Sequence, residues 1–229
     1  MGKTELTKIM RWKIADSLAK DRLEKVNLEC KEVHPRTTIY SKYIKRMFDI
    51  LLSAIALIIT LPINLILGIV TFFDVGNPIF FRQERIGKDG KIFEIIKFRN
   101  MKNTTDERGE LLSPEKRVTK FGHFVRKTSL DELLNFWSVF KGDMSLIGPR
   151  PERTQFVEQF KEEIPRYMVK HQVRPGLTGW AQVNGYRGDT SIRKRIDCDL
   201  YYVENWTLGL DFKILIMTFF KGFVNKNAY

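Results

Sequence analysis

Along this chain the apolar positions change their spacing several times, and each change predicts a different element. Residues 50–73, ILLSAIALIITLPINLILGIVTFF, run for 24 positions without a charge. That is long enough to reach across a bilayer core, and apolar on every side. Pro62 at its centre removes a backbone donor and crowds the preceding turn, with the polar Thr60 and Asn64 beside it, so a sharp helix break is predicted there. Residues 79–83 and 92–99 read as strands, and Asp89-Gly90 between them is a hairpin signal. Helical spacing then appears at Val118, Phe121 and Val125, again at Phe156, Phe160, Ile164 and Tyr167 with Pro165 as an interruption, and over residues 191–205. Residues 207–223 are dense in apolar side chains but carry Asp211 and Lys213. This segment is short and charged for a span. It suits either an interfacial amphipathic helix or a helix packed on the domain. The expected class is α+β and predominantly helical, with a re-entrant helix-break-helix anchor, a small β-hairpin and interfacial helices around one catalytic domain.

Charge sets the topology. The formal charge of +12 and pI near 9.7 call for an anionic partner: nucleic acid, an acidic membrane surface or a phosphorylated substrate. Lys42, Lys45 and Arg46 precede the apolar run, while Arg82, Arg85 and Lys88 follow it, so the positive-inside rule places both ends on the cytoplasmic side. A straight span satisfies one end only. A helix broken at Pro62, with Thr60 and Asn64 bonding the freed backbone groups, satisfies both. The expected organisation is a basic helical extension over 1–41, the anchor over 42–75 and a cytoplasmic domain over 76–229. The extension has spaced apolar residues such as Trp12 and Leu23 but no clean stripe; solvated extension, membrane-surface docking and self-association stay open. Cys30 and Cys198 are isolated, which suits reduced thiols. His34, His123 and His171 lack zinc-site spacing and leave oxygen-ligated Mg²⁺ as the expected metal.

The chemistry concentrates in residues 126–151, RKTSLDELLNFWSVFKGDMSLIGPRP. Ser129 with Glu132 three positions later forms a capping-box pattern, predicting a helix that starts at Leu130. On one reading Asp131 and Glu132 only complement the helix dipole. On the other, the helix start holds Asp131 ionised as a nucleophile towards phosphorus, while Glu132 holds a divalent ion and Arg126, Lys127 and Arg150 face phosphates. Lys97 and Arg99 share a strand face that is either solvated or a phosphate-binding edge. The Gly-rich stretch from His171 to Thr190 carries Arg174, Gln182, Asn184 and Arg187, and its backbone N–H groups with an arginine suit a nucleotide cradle, as any long loop would.

These segments together resemble the bacterial sugar transferase family, the monotopic phosphoglycosyl transferases that start lipid-linked glycan assembly. The resemblance runs from Lys42 to the C-terminus and rests on FRQERIG (81–87), KFRNM (97–101), TSLDELLNFWSVFKGDMSLIGPRP (128–151), VRPGLTGWAQVNG (173–185) and the terminal KGFVNKNAY. It implies transfer of a sugar phosphate from a UDP-sugar to undecaprenyl phosphate, with Mg²⁺, at the cytoplasmic face of a bacterial inner membrane. Asp131 falls on the nucleophile and Glu132 on its metal-associated partner. Lys97, Arg126 and Arg150 fall on basic positions near them, and Arg174 and Arg187 join them as substrate-binding candidates. Trp180 and the KNAY ending look like the hexose-1-phosphate transferases of exopolysaccharide or capsule synthesis, which favours UDP-glucose or UDP-galactose, with a UDP-N-acetylated sugar as the alternative. The expected partners are the two substrates and phospholipid, with no nucleic acid and a homo-oligomer allowed. Two rivals are a single direct displacement with Asp131 as base or metal ligand, and a membrane-tethered basic module that binds nucleic acid or acidic lipid.

Overall fold

The structure, a computed structural model, describes residues 35–163, 167–187 and 190–222. The expected extension up to residue 34, the interruption at Pro165 and the terminal KNAY lie outside the described residues.

The apolar run forms helix α1, Lys45–Val75, entered through a π-helical turn at Tyr40–Ile44. The helical structure is not interrupted at the predicted break: α1 runs through it as one helix of 31 residues with Pro62 inside. Proline costs a helix one N–H donor and leaves the other hydrogen bonds in place. The polar neighbours do not repair a gap either. Thr60 Oγ1 donates to the Ala56 carbonyl (2.7 Å), and Asn64 Nδ2 donates to Thr60 Oγ1 (3.3 Å). Most of the middle of α1 is exposed and apolar, including Ile58, Ile59, Leu61, Leu65 and Ile66.

Both ends of α1 are fastened to the same domain. At the leading end, Lys45 Nζ pairs with Asp211 (2.7 Å), and Arg46 donates to the Val139 and Phe140 carbonyls (2.7 Å each). Asp49 Oδ1 accepts from the Leu146 N–H (2.9 Å). At the trailing end, Leu67 packs with Phe98 and Val125, and Arg99 donates to the carbonyls of Val75, Gly76 and Asn77. A cation there meets the negative end of the helix dipole.

The hairpin forms as expected. Strands β1, Phe80–Ile86, and β2, Ile92–Phe98, pair antiparallel, with Asp89 (φ 55°) and Gly90 (φ 74°) left-handed in the turn. Lys97 and Arg99 do not act as one cationic face, because Arg99 is engaged at the end of α1. Helix α2, Lys120–Lys127, is capped by Thr119 and leads to α3, Asn135–Lys141. Strand β3, Ser145–Ile147, then pairs in parallel with β4, Gly176–Thr178. Here the glycine-rich motifs find their reason: a Cβ on Gly148 or Gly176 would collide with the backbone of the other segment. The Gly176 N–H donates to the Pro149 carbonyl (2.8 Å). Gly176 therefore lets two chain segments cross and offers no free N–H for the expected nucleotide cradle.

Helices α4, Thr154–Glu163, α5, Ile192–Glu204, and α6, Leu208–Gly222, complete the domain. On α6, Ile214 and Asp211 are buried, while Leu208, Phe212, Leu215, Ile216, Phe219 and Phe220 are exposed. Packing on the domain and an apolar outer face therefore coexist. Asp211 accepts from Lys45, from Tyr40 OH (2.6 Å), from Tyr202 OH (2.7 Å) and from Trp206 Nε1 (3.4 Å). Asp211→Ala strands Lys45 as a buried charge without a partner, a change that costs about 3–5 kcal/mol. Chemical unfolding of the detergent-solubilised chain should show a loss of that size, and an unchanged midpoint would contradict the assignment.

Candidate active site

The capping box is absent. Ser129 is left-handed (φ 56°, ψ 22°), makes no side-chain cap, and its Oγ accepts from Arg187 Nη2 (3.2 Å). Leu130–Glu132 is a 3-10 turn, and α3 begins three residues later with no side-chain cap at Leu134. The reason lies in where Glu132 goes. Its Oε1 accepts from Lys97 Nζ (2.6 Å) and Arg150 Nη2 (2.8 Å), with Arg187 Nη2 at 3.8 Å. Charge-assisted bonds to cations outweigh one bond to a neutral N–H. A left-handed serine costs on the order of 1 kcal/mol, and it turns the chain so that Glu132 points into this cluster.

The two carboxylates therefore differ sharply. Burial alone would raise Glu132, but Arg150, Lys97 and Arg187 outweigh it and hold the carboxyl well below its usual range. Asp131 is 7% exposed. Burial pushes its carboxyl above the usual range, Glu132 adds to that, and Lys97 and Arg126 only partly offset it. The direction is opposite to the one a helix start alone would give, because burial outweighs the nearby cations. Among the described residues no cation lies within ion-pair distance of the Asp131 carboxylate.

Of the expected basic residues, Lys97, Arg150 and Arg187 gather on Glu132. Arg126 stays beside Asp131 and donates to Asn100 Oδ1 (2.9 Å). Arg174 is not among them: its Nε donates to the Gly142 carbonyl (3.1 Å), and it lines a separate cavity with Lys42 and Lys45. The cavity walled by Arg85, Lys97, Glu132 and Arg150 is ≈20 Å³, room for about one water. A large substrate must therefore enter from the Asp131 side or draw the arginines off Glu132. For a metal, the described residues hold no cluster of three His, Cys, Asp or Glu. The donors present are the Asp131 carboxylate and Glu132 Oε2, since Oε1 is taken. Two carboxylates completed by substrate phosphates are a usual Mg²⁺ environment, so the donor set fits.

Sequence reasoning gave Arg85 only a flanking role, yet it sits beside this cluster. Its Nη1 donates to the Pro151 carbonyl (3.0 Å), and burial next to Arg150 pulls the guanidinium down to about 10. Glu152 and its partners were missed altogether. Arg195 Nη1 bonds Glu152 (3.0 Å), and beside them Lys170 pairs with Asp199 (2.8 Å), with both of those side chains buried. This layer lies directly after the Gly-Pro-Arg-Pro turn that carries Arg150, and the Glu152 carbonyl accepts from the Ile86 N–H (3.3 Å). The available signal was the GPRPE run, whose acidic last residue follows two prolines.

The family whose sequence model is described as bacterial sugar transferase matches residues 40–225. The chain is 42% identical over 195 residues to UDP-glucose:undecaprenyl-phosphate glucose-1-phosphate transferase of Escherichia coli (strain K12), covering 82% of this chain and 42% of that protein. It is 44% identical over 180 residues to UDP-N-acetylgalactosamine-undecaprenyl-phosphate N-acetylgalactosaminephosphotransferase of Aeromonas hydrophila, covering 77% and 43%. Against UDP-glucose:undecaprenyl-phosphate glucose-1-phosphate transferase of Caulobacter vibrioides (strain ATCC 19089 / CIP 103742 / CB 15) it is 37% identical over 191 residues, covering 81% and 72%. The chain thus spans about two fifths of the length of the first two.

The opposite carboxyl shifts carry opposite stability signs. Glu132, depressed on folding, contributes stability that is present above its unfolded value and lost as pH falls through the folded one; Asp131, raised on folding, costs stability at neutral pH. Asp131→Asn should therefore raise the unfolding temperature at pH 7, while Glu132→Gln, which leaves three cations facing one another, should lower it. A change on the order of 1 kcal/mol in each corresponds to roughly 2–4 °C. Equal shifts in one direction would contradict the asymmetry.

Proposed function

The chain belongs to the bacterial sugar transferase family, and from that premise we propose that it moves a sugar-1-phosphate from a UDP-sugar to undecaprenyl phosphate through a covalent intermediate on Asp131. One observation carries this reading: Glu132 is paired through Oε1 with Lys97 and Arg150, while its neighbour Asp131 has no cation within ion-pair distance among the described residues and its carboxyl is held above the ordinary aspartate range. A carboxylate of raised basicity is the better nucleophile once ionised. An Asp131 oxygen attacks the β-phosphorus and the bond from that phosphorus to the bridging oxygen breaks, so UMP leaves. A sugar-phosphoryl aspartate remains. An oxygen of undecaprenyl phosphate then attacks the same phosphorus and expels the Asp131 carboxylate, giving undecaprenyl-diphospho-sugar. The bond between sugar and oxygen stays intact throughout.

The residues around the dyad divide the work. Arg126 lies beside Asp131 to meet the incoming phosphate, and Lys97, Arg150 and Arg187 neutralise charge on the transferred group while keeping Glu132 ionised. Mg²⁺ would be held by Glu132 and Asp131 with the donor's phosphates, and it would screen the negative charge of the leaving UMP. UDP-glucose and UDP-galactose are the favoured donors. The named relatives support glucose, and the N-acetylgalactosamine relative keeps the acetylated alternative alive.

The setting is a bacterial inner membrane, entered from the cytoplasmic face. A straight 31-residue helix would be about 46 Å long, enough to put its ends on opposite sides of a bilayer. Both ends of α1 hold the same polar domain, which supports an anchor that enters one leaflet, bends at Pro62 while staying helical, and returns. The exposed apolar face of α6 suits a helix lying at the same level. An apolar groove of ≈520 Å³, lined by Leu65, Gly68, Phe72, Phe98 and Leu134, ends two residues from Glu132 and offers the prenyl chain a route to the dyad.

Three outcomes are expected. Labelled UMP should exchange into UDP-sugar without any lipid acceptor, and Asp131→Asn should abolish this; acceptor-dependent exchange would favour the direct displacement. Initial rates should fall on the acid side as pH drops through an Asp131 value above the ordinary aspartate range, because the ionised form attacks. Cysteines introduced at Lys42 and Pro78 should both react with an impermeant reagent from the cytoplasmic side only, and a periplasmic reaction at either would refute the re-entrant anchor. A panel of UDP-sugars scored by UMP release identifies the donor.

A further inference from the structure

A second, larger cationic cavity lies away from the dyad, where the first turn of α1 meets the start of α6. It has a volume of ≈390 Å³, and its walls include Arg36, Lys42, Lys45, Lys88 and Arg174, drawn from the segment before the anchor, the anchor itself, the hairpin turn and the crossing loop. Like charges gathered around one space repel one another unless an anion shares it; here Arg36, Lys42 and Lys88 are exposed, Arg174 is half-buried and Lys45 is buried. Among the described residues the counter-charges are few. Lys45 is neutralised by Asp211. Lys88 has only the exposed Asp89 at 3.9 Å. Among the described residues, Arg36, Lys42 and Arg174 have no carboxylate within ion-pair distance. One carboxylate, Asp49, also lines the cavity: its Oδ1 accepts from Ser145 Oγ (3.0 Å) and the Leu146 N–H (2.9 Å), and its buried Oδ2 has no hydrogen-bond partner among the described residues, so one anion stands against the four cations left beside the Lys45–Asp211 pair.

The surroundings say which anion. On the turns that carry Lys42 and Lys45, Ile39, Tyr43, Ile44 and Met47 are exposed; on the first turns of α6, which Asp211 ties to Lys45, Leu208 and Phe212 are exposed as well. Exposed apolar residues therefore stand on both elements that the Lys45–Asp211 pair joins beside the cationic pocket. A soluble anion would have no use for that flank. A molecule with a phosphate head and acyl tails would use both, the head against the cations and the tails along α1 and α6.

We propose that this cavity is a binding site for the phosphate head group of an anionic glycerophospholipid, separate from the dyad, which seats the leading end of the anchor at head-group depth. It rests on the reading of α1 and α6 as membrane-facing, and not on the chemistry assigned to Asp131. The site also accounts for the placement of Arg174, which lines this pocket and donates to the carbonyl of Gly142, the residue after α3, instead of reaching the dyad.

The test uses the full chain in detergent, titrated with dioleoyl-phosphatidylglycerol and followed by native mass spectrometry. Dioleoylglycerol supplies the tails without the phosphate, and inorganic phosphate supplies the anion without the tails. One phosphatidylglycerol should be retained in preference to dioleoylglycerol, and inorganic phosphate should displace it only at far higher concentration. The triple variant Arg36→Gln, Lys42→Gln, Lys88→Gln should lose about tenfold in affinity. A charge-matched triple outside the cavity, Lys91→Gln, Lys102→Gln, Lys120→Gln, should lose less than twofold. Equal losses in both triples would mean diffuse surface attraction and overturn the site. So would tight retention of dioleoylglycerol, or displacement by inorganic phosphate at the lipid's own concentration, which would make it a soluble-anion site. Unmodified protein gives an independent readout: a photoreactive phosphatidylglycerol should label segments 36–51 and 206–216, and labelling confined to the groove at Leu134 would contradict the proposal. Asp131→Asn should keep full lipid retention. If that variant proves active, the covalent reading falls while this site stands; if it loses the lipid, the lipid belongs to the dyad and this site falls.

Discussion

Three cations converging on one oxygen of Glu132 govern the site. Lys97 comes from β2, Arg150 from the turn after β3 and Arg187 from the segment before α5, so a single carboxylate joins three distant parts of the chain. Remove its charge and the cluster repels itself; keep it and the turn carrying both carboxylates is held from three sides. The left-handed Ser129 is part of the same constraint, since its strain is offset by the ion pairs it allows. Asp131 inherits its properties from this arrangement. It is adjacent to a cation-paired carboxylate, largely buried and without a cation within ion-pair distance among the described residues, and that combination raises its basicity.

The scaffold repeats the pattern at larger scale. Asp211 joins the leading end of the anchor to α6 in the way Glu132 joins the dyad to its arginines, and Arg99 closes the trailing end of α1. Residues of one short motif, KFRN, divide these roles. Lys97 binds Glu132, Arg99 binds the end of the anchor, and Asn100 holds Arg126. Membrane attachment and the dyad are therefore built from neighbouring residues. The motif that holds the trailing end of the apolar helix also holds the turn that carries both carboxylates.

Much of this is legible in the sequence where local physics decides. Length and apolarity announce α1, Asp89-Gly90 announces the hairpin, and the adjacent carboxylates stand out together with Lys97, Arg150 and Arg187. Where the outcome depends on distant partners, local patterns mislead. Ser129 and Glu132 have capping-box spacing, but three cations prevail over one N–H. Pro62 marks a break that the helix absorbs. Gly176 resembles part of a nucleotide cradle and instead permits a backbone crossing, a role visible only when residues 148 and 176 are seen side by side. Arg174 stands in a motif with the site's other residues yet points elsewhere, while Arg85, Glu152 and Arg195 gather beside the turn of Arg150 through contacts that no spacing reveals.

The central claim is that Asp131 carries the transferred group while Glu132 does not. Intact-protein and peptide mass spectrometry after incubation with UDP-glucose, without a lipid acceptor and with an acid quench, tests it most directly. A mass gain of one hexose phosphate is expected on the peptide containing Asp131, retained in Glu132→Gln at a lower yield, absent in Asp131→Asn, and removed on adding undecaprenyl phosphate. An adduct on another residue, a uridine-containing adduct, or full turnover of UDP-glucose by Asp131→Asn would contradict it.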